Sequence, residues 1–222
     1  MRIDLFAHGM SPDLRNEVMA RTGPDQENLA NWTQLTTLFD MKARGKILDA
    51  CEVDLQVLTT PSPPLEVLFE GEELREMTRL ANDSMAALTI GDDRYLGTVS
   101  VPLCDPDFAV EELRRGVGEL GLVGPQVFSS SQGQPLDWPH LEPFWSEVES
   151  LGVPVWLHPE RSPSVPDYPT EERSLYGMFL VLGWPYETSV AMSRLVLSGV
   201  MDRHPGLDII VHHAGAMIPF FS

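Results

Sequence analysis

Cysteine is scarce in this chain. Only Cys51 and Cys104 occur, and they share no metal-binding or redox spacing. That excludes a Cys-rich scaffold and fits free, buried thiols in a reducing compartment. Basic residues are scarce too: 15 Lys and Arg face 33 Asp and Glu, a net charge of −18. Such a surface repels nucleic acid and anionic membrane. It also opposes an anionic substrate, unless a metal or local arginines reverse the field inside a site. No apolar run approaches the roughly 20 residues that a membrane helix needs. Met1-Arg2-Ile3-Asp4 enters a strand at once, so we expect no leader peptide and a cytoplasmic protein. No G-x-G-x-x-G follows a strand, and no Walker loop, G-x-S-x-G elbow or catalytic cysteine setting is present. Internal repeats, low-complexity tracts and domain linkers are missing as well, which leaves a single domain over residues 1–222.

What is present alternates. Short β-branched or apolar runs are expected as strands at Ile3 to Phe6, Val53 to Leu58, Tyr95 to Val101, Leu122 to Phe128, Val153 to Leu157 and Leu207 to His212. Helical spacing falls between them, at Leu35 to Ala50, Glu72 to Leu88, Asp107 to Gly118, His140 to Ser150, Glu171 to Leu182 and Glu187 to Arg203. Leu74, Met77, Leu80, Ala81 and Met85 share one helix face, and so do Leu141, Phe144, Trp145 and Val148. Strand followed by helix, repeated, predicts a parallel sheet with helical crossovers, as a doubly wound sheet or part of a (β/α)8 barrel. The Pro-rich Thr60 to Pro64 and the stretch from Pro12 to Gln34 read as loops on the rim.

Six histidines are present. His140 opens a helix and His204 closes one, so both are expected at the surface or as caps. His8, His158 and the His212-His213 pair each follow a strand. In a barrel, strand C-termini meet at one face, where sites gather. Imidazoles from several strands could share one divalent ion there. A hydrogen-bonded core histidine is the bland alternative for any one of them. His212 and His213 should point to opposite faces of their strand, so that at most one serves the site.

Met1-Arg2-Ile3-Asp4-Leu5-Phe6-Ala7-His8 resembles the opening of the amidohydrolase-related family typified by aminocarboxymuconate-semialdehyde decarboxylase. Resorcylate-type decarboxylases also belong to that family. Val53 to Pro61, Pro154 to Pro159 and Pro205 to Pro219 are similar to it as well. The resemblance implies a TIM barrel, a divalent metal (Zn²⁺, with Mn²⁺ as the other choice), and a small carboxylated aromatic or muconate-like substrate. It further implies a homodimer. His8 would be the second member of a His-x-His metal pair, His158 the ligand from strand five, and His213 a ligand or proton carrier. Phe6 stands where the first histidine of that pair would be and cannot ligate, so it would face substrate. The family's late aspartate has no counterpart before Ser222. We therefore expect a barrel truncated after its sixth strand, with two more β/α units, on the order of 80 residues, in the natural protein.

Arg161, three residues past His158, could clamp a substrate carboxylate in bidentate fashion. Glu187 suits a helix N-terminus; the alternative is that Trp184, Tyr186 and Glu187 line a pocket or a dimer contact near the same rim. Asp4 either points outward or holds a supporting hydrogen bond. The resemblance implies a metal-dependent decarboxylase or hydrolase. Phe6 leaves a second reading, a barrel without catalysis that serves as a binding or assembly module.

Overall fold

The computed structural model describes residues 1–22 and 35–221. The chain forms two compact units, Met1–Gln126 and Val127–Ser222.

In the first unit, strands β1 (Ile3–His8), β2 (Leu55–Thr59) and β3 (Tyr95–Gly97) run parallel, with β2 in the middle. Strand β4 (Val99–Ser100) pairs in parallel with Pro125 and Gln126 of β5 (Pro125–Phe128). One strand was expected over Tyr95 to Val101. It is divided at Thr98, whose N–H and hydroxyl both donate to Leu58 O, at 3.0 and 3.2 Å. Helix α1 (Pro12–Thr22) occupies part of the predicted rim loop; the rest of that stretch, 23–34, lies outside the described residues. The expected helix from Leu35 to Ala50 is divided at Asp40, which is extended and accepts the Ala43 N–H at 2.9 Å. A 3-10 turn at Thr36–Leu38 precedes it and helix α2 (Met41–Cys51) follows. A capping carboxylate satisfies a donor that the helix itself leaves open, so the helix starts there.

Helices α3 (Leu65–Leu68), α4 (Gly71–Thr89) and α5 (Pro106–Gly118) complete this unit. The predicted face of α4 is the buried one: Leu74, Met77, Ala81 and Met85 are all at or below 3% exposure. The first three join Met10, Leu14 and Val18 in one apolar cluster. Each large side chain buried in this way contributes about 1.5–3 kcal/mol. Helix α5 lies so close to β4 that a Cβ at Gly116 would come within 2.5 Å of Val99 Cγ2. Alanine gains about 1 kcal/mol in helix propensity over glycine. Overpacking costs typically about 1–3 kcal/mol. Gly116→Ala is therefore expected to destabilise the protein by about 1 kcal/mol, measured as a lower urea midpoint; a stabilised variant would contradict the tight contact.

In the second unit, β8 (Val155–His158) pairs in parallel with β9 (Ile209–Val211), and Ser129 N–H, just after β5, donates to His158 O at 2.8 Å. Strands β6 (Ser130–Ser131) and β7 (Gln134–Pro135) form a small antiparallel hairpin. Helix α6 (Glu142–Leu151) buries Phe144, Trp145 and Val148, as its periodicity predicts.

Two expected helices change. Glu171 to Leu182 is not a helix: Tyr176 and Gly177 have φ of 56° and 72°, and only a π turn forms, at Phe179–Gly183. Left-handed residues end helical hydrogen bonding. Glu187 to Arg203 becomes α7 (Trp184–Leu197) and α8 (Val200–Arg203), separated by Gly199 at φ 79°. Past β9 a short helical turn, α9 (Ile218–Phe221), occurs. No described helix is long and apolar enough to cross a membrane.

His204 caps the C-terminus of α8, as expected, with its N–H on Val200 O at 2.9 Å, but it is buried rather than at the surface, with Nε2 2.9 Å from Glu142 Oε1 and Nδ1 3.1 Å from Glu149 Oε2. The Arg203 guanidinium holds Glu142 below the usual carboxylate range, and the Gly206 N–H does the same for Glu149, with His204 assisting in each case. His140, by contrast, is exposed and stacks on Trp138 at 4.5 Å.

Candidate active site

His158 closes β8 and is 1% exposed. Its Nδ1 lies 2.7 Å from the Pro159 carbonyl oxygen, an acceptor only, so Nδ1 carries the proton and donates. The lone pair then belongs to Nε2, the tautomer suited to metal ligation. Edge-on aromatic contacts fix the ring: Phe128 at 5.3 Å and Trp184 at 5.2 Å between centroids.

The tandem histidines both come to this ring. His212 lies 4.9 Å from His158 and His213 lies 6.2 Å away, between centroids. They stack on each other at 3.9 Å with planes 22° apart. The expected opposite-face arrangement fails because β9 ends at Val211. His213 has φ 52°, and Ala214 and Ala216 are also left-handed. Strand alternation no longer governs side-chain direction there. Non-glycine residues held in this region concentrate at ligand sites. His213 keeps an exposed edge, but desolvation of its packed face pushes its pKa below the ordinary value. It is thus held toward the neutral form near pH 7.

Trp184 opens α7, with Nε1 donating to Arg161 O at 3.3 Å and its ring 5.9 Å from His213. Arg161 is less available than the sequence implied. Its Nη1 donates to Glu187 Oε1 at 3.0 Å, and Asp167 lies 4.0 Å from Nη2. Glu187 lies in the first turn of α7, as expected, and is the partner of this guanidinium. An open cleft of about 540 Å³ is lined by Arg161, Tyr168, Leu175, Met178, Tyr186 and other residues of this unit, but by none of its histidines.

His8 belongs to the first unit. Its Nδ1 lies 2.9 Å from Thr59 Oγ1, and that hydroxyl also lies 3.2 Å from Ala7 O. A hydroxyl has one proton. Ala7 O and His8 Nδ1 compete for it: given to Ala7, it leaves Thr59 to accept from His8 Nδ1–H and puts the lone pair on Nε2. Phe6 is on the same side, 6.2 Å from the His8 ring, as residues two apart on a strand should be. Each of these imidazoles, with Nδ1 bonded, is by itself of the kind that ligates a divalent cation.

The amidohydrolase family model matches residues 52–219. The chain belongs to the amidohydrolase family. Its fold class is accordingly α/β of the TIM-barrel type, as the resemblance implied. Gamma-resorcylate decarboxylase of Rhodococcus jostii (strain RHA1) is 37% identical over 200 residues, which cover 85% of this chain and 60% of that protein. Among solved structures, 2,6-dihydroxybenzoate decarboxylase in complex with 2,6-dihydroxybenzoate matches with a TM-score of 0.80 and 31% identity, covering 99% of this chain and 69% of that one. A dihydroxybenzoic acid decarboxylase from Polaromonas sp. JS666, with bound manganese and 2-nitroresorcinol, matches with a TM-score of 0.81 and 28% identity, covering 99% and 67%. The chain thus spans about 60% of the length of the curated relatives it matches.

Proposed function

We propose that this protein is a metal-dependent decarboxylase of small hydroxylated aromatic carboxylates. The observation that carries this reading is the buried His158 ring, with Nδ1 anchored on Pro159 O and Nε2 left as the basic atom; the contact of His8 Nδ1 with Thr59 Oγ1 supports it. His8 and His158 are the proposed ligands of the divalent ion. Manganese is the first choice, because related decarboxylase structures hold it; zinc is the second. A bound divalent cation supplies a Lewis acid that polarises substrate oxygens.

The net reaction replaces a carboxylate with hydrogen. A proton is delivered to the ring carbon that bears the carboxylate, the carbon–carbon bond breaks, CO₂ departs, and its electron pair restores the aromatic ring. His213 is the proposed carrier of that proton, through an imidazole nitrogen, and regains it from water. Its neutral resting state lets it collect and release the proton near pH 7. Trp184 and Phe6 bound the substrate ring and exclude water. Arg161 orients the substrate carboxylate when Glu187 gives way to it. The cytoplasm is the proposed location, on the scarcity of cysteine and the free state of both thiols.

The test is to assay CO₂ release from 2,6-dihydroxybenzoate and related hydroxybenzoates with metal-replete and chelator-treated protein. Metal-dependent turnover is expected, restored by Mn²⁺. A protein that takes up no stoichiometric metal when replete refutes the mechanism. It would favour the non-catalytic binding barrel instead, which the apolar Phe6 beside His8 already motivates.

A further inference from the structure

Strand β1 is not regular. Asp4 pairs with Gln56 and Ala7 with Leu58, three steps on β1 against two on β2, so β1 carries one extra residue. In an unbroken strand Asp4 and His8, four residues apart, would share a face. They do not. Asp4 contacts Gln56 and His8 contacts Thr59, and three residues along β2 is a change of face. The bulge is therefore what turns His8 to the side it occupies, a use to which bulges near sites are often put.

The bulge is bracketed by one chain of polar groups. At its entry, Asp4 Oδ1 accepts the Phe6 N–H at 3.3 Å and Oδ2 accepts Gln56 Nε2–H at 2.7 Å. Gln56 Oε1 accepts from Arg44 Nη1 at 2.7 Å. At the exit, Arg44 Nη2 donates to the His8 carbonyl oxygen, and Nη2 and Nε both reach Thr37 O, at 2.7 and 3.0 Å. Arg44 is 7% exposed and Gln56 6%. Among the described residues no carboxylate contacts the Arg44 guanidinium directly, and burial pulls its pKa down. A charged group is buried at this cost only where its donors are needed. Here they are spent on backbone carbonyls and on one amide.

We propose that Asp4, Gln56 and Arg44 form a positioning relay that holds the β1 bulge and so aims His8. None of the three touches substrate or ion; they act through His8. The inference rests on the reading of His8 as a metal ligand, so its test has a readout that needs no metal. Gln56→Leu keeps the volume and removes both inner links of the relay.

In the metal-free 222-residue protein labelled with ¹⁵N-histidine, the wild-type His8 ring should report a protonated Nδ1, identified by its loss in His8→Ala. Gln56→Leu, folded by circular dichroism, should shift that signal toward a tautomer mixture. Mn²⁺ affinity should fall about 10–100-fold, the range seen when groups behind a metal ligand are lost. A folded Gln56→Leu protein with the wild-type His8 signal and Mn²⁺ affinity within twofold of wild type overturns the relay. If wild type takes up no Mn²⁺, the functional reading falls, and the His8 ring signal alone decides the relay. If Gln56→Leu does not fold, Asp4→Ala removes both acceptors at a half-buried position and is scored by the same two outcomes.

Discussion

Replacing His158 should remove metal binding altogether within the measurable range. The side chain is 1% exposed, its Nδ1 is tied to Pro159 O, and Phe128 and Trp184 fix its plane. No rearrangement of a neighbour can supply an equivalent Nε2 at that point of β8. Losing a group behind a ligand costs about 10–100-fold in affinity, so losing the ligand itself should cost more. His158→Gln is the preferred variant because it keeps most of the volume; His158→Ala would add a cavity. Metal content by mass spectrometry, Mn²⁺ titration and hydroxybenzoate decarboxylation should fall together while the melting temperature changes little. Wild-type metal stoichiometry and affinity in His158→Gln would end the proposed mechanism. The tandem pair then separates by role. His212 is nearer to His158, so His212→Ala should weaken Mn²⁺ binding, whereas His213→Ala should lower turnover and leave the metal in place. A reversal of those two results would exchange the assignments of ligand and proton carrier.

The second large effect is on stability. Glu112, on α5, is fully buried. Arg115 holds both of its oxygens, at 2.7 and 2.9 Å, and Asn82 Nδ2 donates to Oε2 at 2.8 Å. Asn82 is itself buried and binds both Ser100 N–H and Ser100 O, at 2.7 and 3.0 Å, which anchors β4. The Glu112 hydrogen bond raises the pKa of Arg115, with Asp83 assisting. Removing one member of a fully buried pair costs about 3–5 kcal/mol; Arg115 is partly exposed and keeps Asp83 at 2.5 Å, so the lower end, about 3 kcal/mol, applies here. For a protein of this size each kcal/mol moves the melting temperature by roughly 2–4 °C. Glu112→Ala is therefore expected to melt on the order of 10 °C lower, with Glu112→Gln between it and wild type. A loss below about 1 kcal/mol, the usual surface scale, would show that the network adds little.

Much of this was legible in the residues. Period-3.6 spacing marked the buried faces of α4 and α6, because a core-facing helix has no other way to present its apolar side chains. Short apolar runs ending in polar residues marked β2, β8 and β9, since parallel strands are covered on both faces. His158 stood out as a polar residue at the end of such a run. The expectations that failed did so where long-range contacts outweigh local propensity. Tyr95 to Val101 reads as one strand, but Thr98 turns both its donors to Leu58. Glu171 to Leu182 has acceptable helical residues, yet Asp167 captures Ser174 Oγ at 2.7 Å and Leu175 N at 3.3 Å, and the chain turns left-handed at Tyr176.

By itself, then, the sequence determined the α/β order and the histidines at strand ends, because period and composition are local properties, and its segments around those histidines carried the family resemblance. Tertiary structure alone decided the tautomer of His158, the anchoring of His8 on Thr59, the stacking of His212 on His213, the pairing of Arg161 with Glu187 and the burial of His204 between two glutamates. Each depends on a hydrogen-bond or ring partner that no periodicity encodes, or on a backbone angle that ends the periodicity.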